Sequence, residues 1–409
     1  MKVWFKYLLG IALGLIAAFI IPFNNAKGME ILSFITNLFV HFGRYILIPL
    51  IFFTAIISVN KLRTSRLFLK TSVWTVAIII ISTLIVTLIG TLSIVSFKLP
   101  RIPITVEIAP EIVEIDVKGM LMSLFPDSAF MALSEGSFLL VVFLFACLIG
   151  WASASDSTLF RPVYNLTDSL SQLFYNIMSF FTEIMSVFSI AIMANWLVTS
   201  RETLASGIFT PMIVMFIIDF AILVGIIYPI IIRYVCRDKH PYRVLFASIA
   251  PFMLAFISGD SNLALSLNLR HGKESLGIKR RVNGFSQPLF SIFARGGSAL
   301  VSVVAFFLIW RSYSSLPIKM GDIMLVFTVA FGFSFLLGGF PTGGAYILLT
   351  ILCAKYGRGF ETSFVLIKPA TVILCSFAAL FDTATAMFGS YIVGMKTNMV
   401  ERHSVLNFI

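Results

Sequence analysis

Gly338–Ala345 reads GGFPTGGA, four glycines and a proline in the middle of an apolar run, Ile323–Ala354, that is otherwise long enough to cross a bilayer. Glycine and proline are the residues least able to continue a helix: one has too much backbone freedom, the other lacks an N–H and clashes with the preceding turn. The run therefore predicts two half-helices meeting at a non-helical tip. At membrane depth such a tip is tolerated only where protein or a watery cavity satisfies its backbone. Broken apolar segments of this kind point to transporter binding sites.

Composition agrees. Apolar residues make up 59% of the 409, mean hydropathy is +0.99, and 12% of residues are charged, about half the fraction of a soluble domain. These values describe an all-α polytopic protein whose solvent is the lipid bilayer. The net charge of +11 suggests nucleic acid only in a soluble chain. Here Lys and Arg gather in short loops between apolar runs, the positive-inside pattern, so the charge reports orientation and no nucleic-acid partner is expected. Cys147, Cys236, Cys353 and Cys375 lie in or beside apolar segments without metal-ligand spacing and read as small hydrophobes. The 42 phenylalanines read as packing and lipid-facing surface, with no cofactor implied.

Outward from the tip, the chain divides into eight spans. Met1–Phe23 is an uncleaved first helix with a cytoplasmic N-terminus. Ile31–Val59 follows, with His41, Arg44 and Pro49 inside, then Thr71–Phe97. The acidic, proline-bearing stretch Lys98–Asp127 suits an external loop. Leu133–Trp151, Leu173–Val198 and Ile208–Ile232 are the next three spans, with Trp151–Asp168 a cytoplasmic loop. Asn176, Glu183 and Asn195 read as polar contacts between helices.

A second broken run precedes the first. Val244–Leu269 is apolar at both ends and interrupted by Ser258, Gly259, Asp260, Ser261 and Asn262, residues that favour turns and helix caps. Basic clusters on both sides make it enter and leave on the cytoplasmic face. Phe285–Trp310 and Phe364–Val393 are the last two spans, and both termini are cytoplasmic. Hairpin, span, hairpin, span, with the hairpins entering from opposite faces, is an inverted repeat.

These motifs together resemble the dicarboxylate/amino acid:cation symporter family, the glutamate transporter fold. LFVHFGRYILIPLIF, containing His41, Arg44 and Pro49, is similar to that family's second helix; Phe125–Leu139 is similar to the start of its fourth; Gly338–Ala345 matches its second hairpin tip. The resemblance implies a homotrimer in a cell membrane, most simply a bacterial inner membrane. It also implies a scaffold part, residues 1–59 and 120–200, and a mobile transport part, 71–97 and 207–400, with re-entrant hairpins near 244–269 and 323–354. The implied function is secondary active transport of a small carboxylate-bearing solute, an amino acid or dicarboxylate, by elevator-type alternating access.

The chain departs from the family where solute and ions bind. The serine-rich first tip appears as Gly259, Asp260, Ser261 and Asn262. Sodium ligands of the seventh and eighth helices are replaced at Ala294, Gly296, Gly389 and Val393, and the arginine that pairs with a side-chain carboxylate falls on Thr385. Asp382 matches the aspartate that pairs with a substrate amino group. The resemblance and the buried charges together place substrate among Ser261, Asn262, Arg295, Ser298, Pro341, Thr342, Gly343, Asp382 and Thr385. Three roles stand open for Arg295: a ligand for a second carboxylate, a fixed cation where relatives bind sodium, or a neutralising partner of Asp260 or Asp382. No cofactor is expected beyond Na+ or H+ as coupling ion. Two other readings stand beside symport: an uncoupled exchanger, channel-like protein or sensor on the same fold, and an intramembrane aspartyl protease using Asp260 and Asp382.

Overall fold

The computed structural model of the chain describes residues 2–20, 26–97, 99–103, 139–156, 158–314, 318–340, 342–401, 403, 405 and 408–409. Most of the expected external loop after Phe97, nearly all of the Phe125–Leu139 motif, and Pro341 lie outside them. Among the described residues every regular element is a helix, apart from one antiparallel bridge between Ile278 and Val400.

Helix α1, Val3–Ile20, turns Gly10 and Gly14 toward a partner helix. A Cβ at Gly10 would collide with Ser189, and one at Gly14 would come within 2.5 Å of the Ile190 carbonyl; small residues four apart let two backbones approach closely in lipid. The second span is divided into α2, Ala26–Tyr45, and α3, Leu47–Thr64. Pro49 explains the break, since it has no N–H for the Tyr45 carbonyl. Helices α4, Phe68–Ser96, and α5, Leu139–Ser153, follow.

Helix α6, Arg161–Ala205, runs 45 residues, about 68 Å at 1.5 Å per residue. It starts earlier than expected, so much of the predicted loop before Asp168 is helical. Pro162 sits in the first turn, where a missing N–H costs nothing, and neither glycine nor proline occurs after it. The sixth span comprises α7, Thr210–Ile222, a π turn, Leu223–Ile227, and α8, Tyr228–Val235. Pro229 leaves the Gly225 carbonyl without its helical donor, and the Tyr242 hydroxyl donates to that oxygen at 3.3 Å.

Helices α9, Arg243–Ser258, and α10, Ser261–Glu274, pack side by side around a two-residue tip. Gly259 adopts φ +61° there, a left-handed conformation that favours glycine. Asp260 then caps α10, its Oδ1 accepting the Asn262 N–H at 2.9 Å. The expected seventh span is not continuous: α11, Arg280–Phe293, and α12, Gly296–Tyr313, are separated at Ala294 and Arg295. The second helix pair is α13, Met320–Ser334, with a 3₁₀ turn over Phe335–Gly339, and α14, Gly344–Tyr356. A 3₁₀ turn, Ser363–Ala370, leads into α15, Thr371–Lys396.

Among the described residues, eight helical stretches are long and apolar enough to span a bilayer. Seven coincide with expected spans; the expected fourth is described only as the 15-residue α5, while Met320–Gly339 reaches spanning length. Helices α1, α2 and α3 pack on α6, with α5 on α3. Helix α12 is enclosed by α4, α14 and α15, and α15 also packs on α9 and α11. The two groups touch along α3–α11 and α6–α9. Large apolar side chains including Phe19, Leu69, Leu148 and Met320 point outward, a surface suited to lipid and not to water.

Candidate functional site

The break between α11 and α12 creates the site. A helix start leaves backbone N–H groups free and carries a partial positive charge. The N-terminus of α12 meets Asp382 in the middle of α15. Asp382 Oδ1 accepts the Gly297 N–H at 2.7 Å and the Ser298 N–H at 3.4 Å, and Oδ2 accepts the Ser298 hydroxyl at 3.0 Å. The close approach requires Gly297, where a Cβ would come within 2.8 Å of Asp382 Oδ1 and 2.7 Å of the Ala378 carbonyl.

Arg295, the residue just before α12, puts Nη1 3.7 Å from Asp382 Oδ2 and donates to the Ser261 hydroxyl at the start of α10. Its side chain is 3% exposed, yet Nε and Nη2 have no hydrogen-bond partner. A guanidinium stays protonated, so these are unmet buried donors beside a paired charge. Asp260 is held elsewhere: Oδ2 takes Arg44 Nε of α2 at 2.6 Å. Arg295 thus pairs with Asp382 and Arg44 with Asp260, two separate ion pairs and not a carboxyl dyad sharing a proton.

Of the expected site residues, Ser261, Arg295, Ser298 and Asp382 form one contiguous buried cluster. Asn262 is buried beside it and accepts from Ser291 at 3.1 Å. Thr385, one turn along from Asp382, shares a 2.7 Å hydrogen bond with Tyr228 and donates to the Phe381 carbonyl. Thr342 and Gly343 precede the start of α14, where a Cβ on Gly344 would lie 3.6 Å from Ser298 Oγ, and they border a second space. Together with Ser258 and Gly259 of the first tip they line a cavity of about 370 Å³, whose opposite wall is His41 and Arg44 of α2 and Asn195 and Trp196 of α6.

The positions at which the resemblance implies lost sodium ligands are filled by packing. A side chain on Gly389 would overlap the Phe290 ring, and one on Gly296 would meet α4 at Thr83 and Val86. Ala294 and Val393 are fully buried. Among the described residues no group of three His, Cys, Asp or Glu side chains gathers to hold a metal.

Three buried acids, Asp219, Asp238 and Asp322, escaped the sequence reading. Asp219 of α7 is 1% exposed; Oδ1 accepts from Ser93 of α4, and Oδ2 has no partner. It is the only charged residue in Ile208–Ile232, which was the available signal.

The family model for sodium:dicarboxylate symporters matches residues 3–398. Human neutral amino acid transporter A is 28% identical over 128 residues, 31% of this chain and 24% of that protein. Rabbit neutral amino acid transporter B(0) is 28% identical over 123 residues, 30% of this chain and 22% of its own length. These alignments cover about a quarter of the relatives they match.

Proposed function

We infer that this chain, which belongs to the sodium:dicarboxylate symporter family, moves a small solute bearing one carboxylate, a neutral amino acid in preference to a dicarboxylate. The family consists of transporters and not enzymes. The observation that carries the substrate reading is the pairing of Arg295 with Asp382 while Thr385 is tied to Tyr228. Arg295 is the one cationic side chain in the cluster, and Asp382 already takes part of its field. A single carboxylate finds the free Nε and Nη2 donors and the N-terminus of α14, which lies beside Ser298. A second carboxylate finds no counter-charge and keeps its desolvation cost. A substrate ammonium competes with Arg295 for Asp382 Oδ2. The names of the amino acid transporters above point the same way.

In this reading α1–α3, α5 and α6 are the scaffold, and α4 with α7–α15 move as one body, the helix pairs α9–α10 and α13–α14 acting as re-entrant hairpins. Support comes from the two packing groups. The polar bonds between them include Arg44 to Asp260, Trp196 to Ser376 at 2.7 Å and Thr203 to the Pro369 carbonyl at 2.8 Å. A second set joins α6 to α10 and α11: Arg270 to Glu183 at 2.9 Å and to Thr182 at 2.8 Å, Tyr175 to Glu274 at 2.7 Å, and Arg280 to Asp168 at 3.3 Å. Sliding must break both sets. The assembly is a homotrimer in a bacterial inner membrane with cytoplasmic termini, and the coupling ion is Na+ or H+.

A second reading, exchange or sensing without a driving cation, is favoured by two observations: the Phe290 ring occupies the Gly389 position, and Arg295 supplies a fixed charge beside Asp382. Uptake by purified protein in liposomes, with sodium and proton gradients imposed separately and neutral amino acids set against dicarboxylates, decides between them. Gradient-driven accumulation of a neutral amino acid supports symport. Exchange without accumulation supports the second reading, and preferential dicarboxylate uptake overturns the substrate assignment.

A further inference from the structure

A concavity that the transport reading leaves unused lies where the sixth span ends and the first hairpin begins. It is a cavity of about 630 Å³ between the π turn, α8 and the start of α9. Its walls are apolar and open outward: Ile226, Ile230 and Phe246 are each about half exposed, at 54%, 48% and 53%. Its rim is basic, formed by Arg233 at the end of α8, Lys239 in the connecting loop and Arg243 at the start of α9.

None of these three cations has a carboxylate partner among the described residues. The connecting loop has one acid, Asp238, and it is 2% exposed and turned inward, accepting the Tyr391 hydroxyl and the His240 N–H. Loop cations that only report orientation project into water. Here they close one end of a groove whose other end opens on lipid-facing side chains. Ile226 and Arg233 are seven residues apart, about 10 Å along a helix, the step from upper acyl methylenes to a lipid phosphate.

We propose that this cavity binds one anionic phospholipid, its phosphate held by Arg233, Lys239 and Arg243 and an acyl chain laid along Ile226, Ile230 and Phe246. Anionic headgroups are drawn to such basic clusters at the membrane boundary, and the apolar walls separate a lipid from a free anion. The bound headgroup bridges α8 to α9, so it pins the base of the first helix pair to the bilayer. This assignment is independent of what the protein transports.

The test is native mass spectrometry of the full-length protein, extracted in mild detergent from liposomes holding equal phosphatidylglycerol and phosphatidylcholine. Wild type should retain one phosphatidylglycerol in several-fold excess over phosphatidylcholine. Arg233→Gln with Arg243→Gln should lower that adduct about thirtyfold, and Phe246→Ser should lower it with the basic rim intact. Arg66→Gln with Lys70→Gln removes the same charge from another basic loop and should leave it unchanged. Equal losses in both double variants mean diffuse surface charge and overturn the site. Displacement of the lipid by millimolar inorganic phosphate means that the rim binds a free anion, and overturns it too. Elution volumes unchanged from wild type confirm that the variants compared are folded.

Discussion

The pairing of Arg295 with Asp382 predicts an asymmetry between two single substitutions. Asp382 has three donors besides Arg295: the Gly297 and Ser298 N–H groups and the Ser298 hydroxyl. Arg295 has only the Ser261 hydroxyl besides Asp382, and two of its nitrogens are already without partners. Asp382→Asn therefore strands a buried guanidinium, at about 3–5 kcal/mol. Arg295→Met leaves a carboxylate still held by charge-assisted hydrogen bonds at a positive helix end, and costs about 1–2 kcal/mol. At the usual unfolding entropy per residue, these become drops in Tm of roughly 4–6 °C and 1–2 °C for a chain of this length. The assay is thermal unfolding of the detergent-solubilised protein, with the double variant included. Arg295→Met should partly rescue Asp382→Asn, because it removes the stranded cation. If Arg295→Met is the more damaging change, or the double variant is the sum of the singles, the two residues are not the coupled pair described here.

Three further outcomes follow from the same geometry. Gly297→Ala, whose Cβ would press on Asp382 and the Ala378 carbonyl, should abolish solute binding measured by calorimetry, with a loss greater than that of Gly225→Ala, where nothing lies within 4 Å. Arg44→Gln leaves Asp260 buried without its ion-pair partner, so it should destabilise the protein by about 3 kcal/mol in denaturant titration, with Arg44→Gln/Asp260→Asn recovering part of the loss. Gly389→Asn, which puts an amide where the resemblance implies a sodium ligand, should fold poorly because the Phe290 ring fills the space. Adding Phe290→Ala should restore monodisperse elution on size exclusion, whereas failure of that rescue would mean that the ring is not what excludes the side chain.

Much of the architecture was legible because its causes are local. Gly259 and Asp260 end one helix and cap the next wherever they stand, and the glycines of 338–345 break a run by themselves. The lengths of the apolar runs set the spans, since hydrocarbon thickness is an external ruler. Where the reading failed, the cause was packing. Nothing in FARGGS requires a break at Ala294 and Arg295, but the break places a helix start against Asp382. The extension of α6 beyond its apolar core is the exception, with a local cause: helix propensity without glycine or proline carries it on.

By itself, the sequence determined the solvent, the breaks at Gly259 and within 338–345, and the intramembrane charges Arg44, Asp260, Arg295 and Asp382, since each follows from residues within a few turns of one another. Which charges pair was decided by tertiary structure alone. Arg44 meets Asp260 across 216 residues, leaving Arg295 for Asp382, and Phe290 takes the space beside Gly389. A buried charge in low dielectric takes whichever opposite charge the packed helices bring within reach, and sequence separation carries no information about that distance.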